Sequence, residues 1–296
     1  MSAPVFHDAA TIARVLPHQA AVDALEAALV GGLDPGADPP RSFAKADRGE
    51  LLLMPSAAAG GLGVKLVTIG GDPRIQGVYV LFDGDTLAPA ALLDGIGLTD
   101  LRTSAVSALA VRHLAERPPR RLLVFGTGPQ ARAHVAALRA TAPIEHVALA
   151  GRDPGRTAAV ARELGAEPAG PDAVAEADVI CCCTTAREPL FHGEAVHGEA
   201  VVVAIGSHEP DAREVDEHLA ARATVVVESR ESALREAGDV IQAIAADALH
   251  EGELVSLAAL VRGDAAPEPG RPRLFKSTGM AWEDLVLAAA VHAAVP

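Results

Sequence analysis

Apolar positions in the first third of the chain follow a helical repeat and then a strand-like one. Residues from about 8 to 30 are predicted to be helical, because Val22, Leu25 and Leu29 recur at spacings of three and four and Gly31-Gly32 end the segment. Short apolar runs separated by turn residues come next and predict an antiparallel sheet. Its predicted strands lie near residues 41–46, 51–54, 63–69, 77–83 and 87–93. A helix over 99–116 then leads to Pro118-Pro119, where we place a domain boundary.

Strands and helices alternate in the middle of the chain, which is the pattern of a doubly wound α/β domain. The predicted strands of this domain are 121–126, 146–150, 178–183, 200–205 and 224–228. Residues 264–273 are rich in proline and are expected to form a loop, and a last helix runs from near Gly279 to the end. We expect this helix to return to the first domain. The predicted fold class is therefore α/β, with a doubly wound domain (118–276) inserted in a smaller α+β domain (1–117 plus 277–296).

A glycine-rich turn joins the first strand of the doubly wound domain to an alanine-rich helix. The strand ends at Phe125, the turn reads Gly126-Thr127-Gly128-Pro129-Gln130-Ala131, and a second strand follows the helix. In a βαβ dinucleotide-binding unit, the first glycine permits the tight turn, the second lets backbone approach a pyrophosphate, and a small third residue allows close packing. This order of elements predicts a Rossmann domain. Its predicted cofactor-binding residues are Gly126, Thr127, Gly128, Pro129 and Gln130.

The end of the second strand bears on which dinucleotide is bound. NAD-selective sites place Asp or Glu there for the ribose hydroxyls, whereas NADP sites supply an arginine for the 2′-phosphate. Here Gly151 is followed by Arg152, and Asp153 is expected to cap a helix that begins at Pro154. We therefore predict NADP (NADPH) as the cofactor, bound in part by Arg152. In the alternative, NAD is bound, with Asp153 on the ribose and Arg152 as a surface charge.

Composition and charge limit the class of partner. The 296 residues carry 39 acidic and 25 basic side chains, a net charge of −14, which disfavours nucleic acid and anionic membranes. No apolar run is long enough to span a membrane, and Met1-Ser2-Ala3-Pro4 lacks the features of a signal peptide, so we expect a cytoplasmic protein. The three adjacent cysteines, Cys181–Cys183, lack metal-ligand spacing and are interpreted as buried apolar residues in a reducing compartment.

Two basic residues occupy positions where a charge is unfavourable. Thr99 is a good N-cap, which would place Arg102 in the first helical turn, where a cation opposes the helix dipole by about 0.3–1 kcal/mol. Lys65 interrupts a strand whose two faces are largely apolar, and a buried ammonium needs a partner or loses its proton. A bound carboxylate would satisfy these cations if they converge, with Arg41 as a third. The alternatives are an Arg102 that points into solvent and an edge-strand lysine that guards against aggregation.

Seven segments in fixed order add a further signal. They are Arg41, Leu53-Met54-Pro55, Gly63-Val64-Lys65, Leu98–Ala105, Gly126–Ala131, Pro210–Asp216 and Phe275–Asp284. Together they resemble the ornithine cyclodeaminase/mu-crystallin family, and the resemblance covers nearly the whole chain. It implies a Rossmann domain combined with a substrate domain that forms a homodimer.

The resemblance also implies roles for particular residues. Arg41, Lys65 and Arg102 would converge on the carboxylate of an amino or imino acid. The residues that would lie near the cofactor are Thr184, Thr185, Gly206, Ser207, Ser277 and Gly279. Glu283 and Asp284, early in the last helix, are interpreted only as acids that favour the helix dipole.

One position departs from part of the family. The cyclodeaminase and alanine dehydrogenase branches carry a catalytic aspartate where this chain has His208. Histidine differs from aspartate in charge and reach, which disfavours ammonia-releasing cyclisation. Residues 206–216 are more similar to the mu-crystallin/ketimine reductase branch. His208 is therefore a candidate catalytic residue, and the sequence leaves open whether Lys65, His208 or water protonates the substrate nitrogen.

The function that follows is NADPH-dependent reduction of a C=N bond next to a carboxylate. A cyclic ketimine, such as a pyrroline- or piperideine-2-carboxylate, is the expected substrate. Arg102, Arg41 and Lys65 would hold the carboxylate while hydride passes from the nicotinamide to the imine carbon. The alternatives are an amino-acid dehydrogenase, an ornithine cyclodeaminase-type enzyme and a non-catalytic NADP-binding protein.

Overall fold

A computed structural model describes residues 4–58 and 61–295. The first elements are β1 (Val5–His7), α1 (Ala9–Val15), α2 (His18–Val30), β2 (Ser42–Ala46), β3 (Gly49–Ser56), β4 (Leu62–Ile69), β5 (Ile75–Phe82), β6 (Pro89–Asp94) and α3 (Gly95–Leu114). They are followed by β7 (Arg121–Phe125), α4 (Pro129–Thr141), β8 (His146–Ala150), α5 (Pro154–Leu164), β9 (Glu167–Pro168), β10 (Val179–Cys182), β11 (Val201–Ala204), α6 (Glu217–Arg222), β12 (Thr224–Val227), α7 (Arg230–Glu236), α8 (Gly238–Ala245), β13 (Val255–Ser256), α9 (Leu257–Arg262), β14 (Arg273–Lys276) and α10 (Ala281–Ala294). Met1, Ser2 and Ala3, on which the expectation about a signal peptide depends, lie outside the described residues.

These elements form two compact units. The first comprises Met1–Val106 and Met280–Pro296, and the second comprises Ser107–Gly279. The division falls inside α3 and just before α10, whereas the sequence places the domain boundaries at 117/118 and 276/277. Those boundaries, and the roles of substrate and cofactor domain assigned with them, stay predictions.

A six-stranded sheet forms the first unit, in the order β1-β6-β5-β4-β3-β2. Neighbouring strands are antiparallel except for the pair of β1 and β6. A row of buried side chains crosses the middle of the sheet, and its members are Met54, Lys65, Tyr79 and Leu93. β4 is an internal strand, so the interpretation of Lys65 as a guard on an edge strand is wrong. α10 packs against β3, β4 and β5 and also contacts α2.

The helix predicted over residues 8–30 is two helices in the structure. Proline has no backbone N–H to donate within a helix and disfavours a helical conformation of the residue before it. Pro17 accordingly separates α1 from α2 and is the N-cap residue of α2. The buried residues of α2 are Ala21, Val22, Leu25 and Leu29, so the apolar spacing that predicted a helix marks its packed side.

The helix predicted to start after Thr99 starts earlier, at Gly95. The side chain of Asp94 accepts the backbone N–H groups of Ile96 and Gly97 at 3.0 and 2.7 Å, which caps the helix one turn sooner. Arg102 therefore lies in the interior of α3, and the expectation that it opposes the helix dipole in the first turn is wrong. The charge of Arg102 is explained instead by the carboxylates of Glu283 and Asp284, with which it pairs.

Eight parallel strands form the sheet of the second unit, in the order β13-β12-β14-β11-β10-β7-β8-β9. β8 lies on one side of β7 and β10 lies on the other, so the direction of winding changes at β7. Open α/β sheets bind ligands at this switch point, outside the carboxyl ends of the strands. The predicted α/β fold class with a doubly wound parallel sheet is thus confirmed. Cys181–Cys183, in and just after β10, are buried free thiols whose pKa values are raised by burial.

The pattern of the sequence missed β14, although this strand is central in the sheet. All four of its residues are buried, and it pairs with both β11 and β12. Its two ends are charged, and each charge has a partner from elsewhere in the unit: Arg273 pairs with Glu116 and Lys276 pairs with Asp239. Buried charges are tolerated where they are paired, and local apolar patterning carries no information about such partners.

Two negative findings apply to residues 4–58 and 61–295. None of the helices there combines the length and the hydropathy that crossing a bilayer would require. Nor does any group of three or more His, Cys, Asp or Glu side chains in those ranges have an arrangement that could hold a metal ion.

Candidate functional site

Gly126 forms the turn between β7 and α4. Its φ of +117° lies in the region that favours glycine. A Cβ at this position would overlap the carbonyl oxygen of Cys183. The N–H of Gly126 donates to the carbonyl oxygen of Ala150 at 2.8 Å, which ties the turn to the end of β8. Glycine is therefore required here by backbone conformation and by the packing of the turn.

Gly128 is the N-cap residue of α4, and packing within the protein does not require a glycine there. Its φ of −89° suits any residue, and a Cβ would meet no atom of the described chain within 4 Å. No side chain caps α4, and Pro129 occupies its first turn. The helix thus presents uncapped N–H groups next to open space. A pyrophosphate fits this arrangement, because anions bind at helix N-termini and glycine lets backbone approach them.

Arg132, the fourth residue of α4, supports this turn, and the sequence analysis did not single it out. Its Nη1 donates to the carbonyl oxygens of Thr127 and Gly128 at 2.8 and 3.3 Å. Glu163 on α5 accepts from its Nε and Nη2 at 2.8 and 2.7 Å. The guanidinium therefore occupies the carbonyl side of the turn and leaves the opposite, N–H side for a ligand.

Two arginines follow β8 with exposed side chains. Asp153 accepts the backbone N–H of Arg156 at 2.9 Å and is the N-cap of α5, as predicted. The guanidinium groups of Arg152 and Arg156 are exposed and have no protein partner in the described part of the chain. The end of β8 thus offers two unpaired cations and a carboxylate that is already engaged in capping.

The remaining predicted cofactor residues follow three adjacent strands of the parallel sheet. They are Thr184 and Thr185 after β10, Gly206 and Ser207 after β11, and Ser277 and Gly279 after β14. All of them lie at the carboxyl edge, which is the ligand-binding edge of such sheets. His208 belongs to the same edge and is exposed in the loop after β11.

Glu228, directly after β12, holds the turn that follows β14. Its Oε1 accepts the hydroxyl of Ser277 at 2.6 Å. Its Oε2 accepts the backbone N–H groups of Thr278 and Gly279 at 2.9 and 3.0 Å. Sequence reasoning missed Glu228 because its partners lie about fifty positions further along the chain.

Lys65 is buried, as the apolar faces of its strand predict, and its partner is Asp284 in the first turn of α10. Its Nζ lies 3.2 and 3.4 Å from the two carboxylate oxygens of Asp284. Burial lowers the pKa of Lys65 from 10.5 to about 8; Asp284 opposes this lowering, and the nearby Arg102 adds to it. A lysine with such a pKa can give up its proton close to neutral pH.

Arg102 is held by the same turn of α10. Its Nη1 donates to Glu283 Oε2 at 2.9 Å, and its Nε lies 3.8 Å from Asp284 Oδ1. Both carboxylate side chains have no exposed surface, whereas the side chain of Arg102 is 10 % exposed. Lys65, Arg102, Glu283 and Asp284 thus form one buried cluster, named here the α10 charge cluster.

Arg41 lies near the same row of side chains but immediately before β2, and it is half-buried. Between β2 and β3, Ser42 is opposite Leu53, so one further step of the register sets Arg41 beside Met54. Between β3 and β4, Met54 is opposite Lys65. Because neighbouring strands are about 4.8 Å apart, the backbones of Arg41 and Lys65 are separated by about 10 Å. The structure therefore joins Lys65 and Arg102 through Asp284 and places Arg41 two strands away from Lys65.

Glu283 and Asp284 are the site residues that sequence reasoning set aside. The signal that could have found them is their position between Trp282 and Leu285, in a helix that is otherwise apolar. Two carboxylates on such a helix become buried, and buried carboxylates need cations. Lys65 and Arg102 were the two cations without an explanation.

Comparison with known proteins adds three relatives. The model of the ornithine cyclodeaminase/mu-crystallin family matches residues 3–295. The Delta(1)-pyrroline-2-carboxylate reductase of Bacillus cereus (strain ZK / E33L) is 35% identical over 258 residues, which are 80% of this chain and 79% of that protein. The ketimine reductase mu-crystallin of Rattus norvegicus is 36% identical over 261 residues, 83% of this chain and 80% of that protein. The solved structure of Thermococcus litoralis Delta(1)-pyrroline-2-carboxylate reductase, in complex with NADH and L-proline, matches with a TM-score of 0.89 and 26% identity, covering 98% of this chain and 97% of that one.

Proposed function

The chain belongs to the ornithine cyclodeaminase/mu-crystallin family, and we propose that it is an NADPH-dependent reductase of cyclic imino acids in which the C=N bond adjoins a carboxylate. The substrate class is that of Δ1-pyrroline-2-carboxylate, which a hydride and a proton convert to proline. Two relatives that carry reductase names, each at least 35% identical over about four-fifths of this chain, support the reaction.

The observation that carries the proposal is the α10 charge cluster. Lys65 and Arg102 come from different elements and reach one carboxylate, that of Asp284, at 3.2 and 3.8 Å. Arg102 is the more accessible of the two cations, so it is the group that meets an incoming carboxylate. Charged hydrogen bonds to a guanidinium are strong and directional, and they fix the orientation of a small planar substrate.

Lys65 is the proposed proton donor to the imine nitrogen. With a pKa of about 8 it is mostly protonated at neutral pH, and it releases its proton more readily than an exposed lysine does. A second carboxylate close to Lys65 would favour its charged form. Binding of the substrate carboxylate therefore keeps the proton on Lys65 until the nitrogen gains basicity. This assignment makes the exposed His208 unnecessary for protonation.

Reduced nicotinamide supplies the hydride when it is bound, and the second unit carries the residues suited to hold its dinucleotide. Gly128 and the uncapped first turn of α4 suit the pyrophosphate. Arg152 and Arg156 suit a 2′-phosphate, because both are exposed cations at the end of β8 and Asp153 is engaged as a cap. These features favour NADPH over NADH for this chain.

Steady-state assays with separate substrates test the reaction. We expect oxidation of NADPH that depends on Δ1-pyrroline-2-carboxylate and forms proline in equal amount. Ornithine with NAD⁺, and pyruvate with ammonia and NADH, serve as the competing assays. Activity confined to ornithine, with release of ammonia, would show a cyclodeaminase and refute the proposal.

The cofactor preference has its own test, in the ratio of kcat/KM with NADPH to kcat/KM with NADH. We expect Arg152→Ala to lower this ratio at least about tenfold, since a hydrogen bond to a charged group contributes about 1.5–3 kcal/mol. Arg162→Ala is the matched control, because Arg162 lies in the last turn of α5 and is also exposed. A wild-type preference for NADH would refute the assignment of NADPH.

Assembly as a homodimer and a location in the cytoplasm belong to the same proposal. Light scattering on the purified protein gives the mass in solution, and a monomeric mass at micromolar concentration would refute the dimer.

A further inference from the structure

Three buried charged groups lie beneath the carboxyl edge of the parallel sheet and take no part in the proposed reaction. Glu214, Asp239 and Lys276 are 0%, 2% and 1% exposed. They come from the segment before α6, from α8 and from the end of β14. Burial of charged groups is costly unless each is paired and hydrogen-bonded, so their partners indicate what the arrangement accomplishes.

The carboxylate of Glu214 joins two loops. Its Oε1 accepts the backbone N–H and the hydroxyl of Thr184 at 2.8 and 2.7 Å. Its Oε2 accepts the backbone N–H of Gly206 at 2.7 Å. Thr184 follows β10 and Gly206 follows β11, so one side chain sets the distance between the ends of two adjacent strands.

Gly206 is the residue that permits this approach. A Cβ on Gly206 would overlap the carbonyl oxygen of Thr184 and crowd Glu214 Oε1. The two loops and the carboxylate are therefore in contact with no room for a side chain between them. The position of Glu214 therefore sets the separation of the two loops.

Lys276 extends the arrangement to a third strand. Its Nζ donates to the carbonyl oxygen of Ser207 at 2.7 Å and lies 2.8 Å from Asp239 Oδ2. Asp239 Oδ1 in turn accepts the backbone N–H groups of Glu214 and Val215 at 2.6 and 3.0 Å. The ends of β10, β11 and β14, which are neighbours in the sheet, are thus held by one connected set of charges.

We infer that Glu214 is a positioning residue for the nicotinamide half of the cofactor, and that its negative charge holds the loops after β10 and β11 in the conformation that binds NADPH. The inference rests on the proposed function, since it concerns the cofactor of that reaction. The proposed role of Glu214 is indirect, through its hydrogen bonds to Thr184 and Gly206.

The charge of Glu214 is sensitive to pH near neutrality. Burial raises its pKa to about 7; Lys276 from β14 and the hydroxyl of Thr184 oppose this rise, and Asp239 from α8 adds to it. Cys181–Cys183, in and just after β10, also interact electrostatically with Glu214, and their raised thiol pKa values keep them uncharged. A protonated carboxyl loses the negative charge that strengthens the hydrogen bonds from Thr184 and Gly206, and its own proton can be accepted only by the hydroxyl of Thr184. The hydrogen bonds that hold the two loops therefore weaken as the pH falls.

The pH dependence of NADPH binding tests the inference. If only the ionised form binds well, a pKa of about 7 makes the dissociation constant about tenfold larger at pH 6 than at pH 8. Glu214→Gln should bind weakly at every pH, with this dependence lost. Glu217→Gln is the matched control, because Glu217 lies three positions away and pairs with Arg213 near the surface. The phosphate of NADPH titrates in the same way with wild type, Glu214→Gln and Glu217→Gln, so its effect on the dissociation constant cancels when the three pH profiles are compared.

A second pair of variants covers the case in which Glu214→Gln does not fold. Thr184→Val removes one hydroxyl donor to Glu214, which should move the midpoint of the pH profile to higher pH, and Thr184→Ser should restore it. Wild-type affinity and pH profile in Glu214→Gln, or an unchanged midpoint in Thr184→Val, would overturn the inference. Failure of the wild-type protein to bind NADPH or to reduce the imino acid would overturn the proposed function as well, so the two failures are distinguishable.

Discussion

Replacing Asp284 with asparagine removes the negative charge that stabilises the ammonium of Lys65. The side chain keeps nearly the same volume and one carbonyl oxygen, so packing between α10 and β4 changes little. Asp284 is the largest of the influences that raise the pKa of Lys65, while burial and Arg102 lower it. Without Asp284, the pKa of Lys65 should fall below neutrality.

The size of the effect follows from the burial of the pair. Removing one partner of a buried ion pair costs about 3–5 kcal/mol, which corresponds to a loss of at least about a hundredfold in the proton affinity of Lys65. Starting from a pKa of about 8, Lys65 would then be roughly one-tenth protonated at pH 7. If Lys65 donates the proton, kcat/KM for the imino acid at pH 7 should fall at least about tenfold.

The assay is kcat/KM for Δ1-pyrroline-2-carboxylate with saturating NADPH, measured from about pH 5 to about pH 9. The profile of Asp284→Asn should be displaced to lower pH, so activity is partly recovered on acidification. Asp23→Asn is the matched control, because Asp23 is an exposed aspartate on α2 in the same unit. Urea unfolding of each variant establishes that the folded fraction is unchanged under assay conditions.

A profile of Asp284→Asn that coincides with the wild-type profile would refute the reasoning. It would mean that Asp284 does not control the proton on Lys65, or that this proton is not the one transferred. Lower activity at every pH with no displacement would refute it as well, since that result reports lost packing rather than lost charge.

Three further predictions address other parts of the molecule. Arg102→Ala should lower kcat/KM for the imino acid about ten- to a hundredfold while the dissociation constant of NADPH changes little, and equal loss of both would contradict the carboxylate role. Gly128→Ala should weaken NADPH binding without lowering Tm, because its Cβ meets open space at an allowed φ, whereas Gly126→Ala should lower Tm at φ +117°. Between about pH 8 and 10.5, the folded protein binds fewer protons at Lys65 than the unfolded chain does. The contribution of Lys65 to the free energy of unfolding should therefore increase by about 3 kcal/mol as the pH rises through that window. Urea titrations that give Lys65→Met the same rise as wild type would contradict this last expectation.

The elements that could be predicted from the sequence are those encoded by neighbouring residues. The turn from β7 into α4 requires glycine at Gly126, and the pattern that marks it, which also includes Gly128 and Pro129, lies within one short segment. Capping of α5 by Asp153 is equally local, since the carboxylate reaches an N–H three positions away. Burial of Lys65 followed from the apolar residues on both faces of its own strand.

Local patterns failed where a distant group decides the outcome. Asp94 was overlooked as a cap because Thr99 is also a favoured residue type for that role, and only the folded chain shows which oxygen meets the N–H groups. β14 was overlooked because its charged ends, Arg273 and Lys276, resemble a surface segment until their partners are known.

By itself, then, the sequence determined the parallel sheet, the glycine-rich turn and the cations that needed a partner, because backbone conformation and the cost of burying charge act on each residue separately. The tertiary structure alone decided which carboxylates pair with those cations. Lys65 and Asp284 are 219 positions apart, and Arg102 and Glu283 are 181 positions apart. Only the packing of α10 on the first sheet brings these charges within a few ångströms, where Coulomb interactions in a water-poor interior become strong enough to set a pKa.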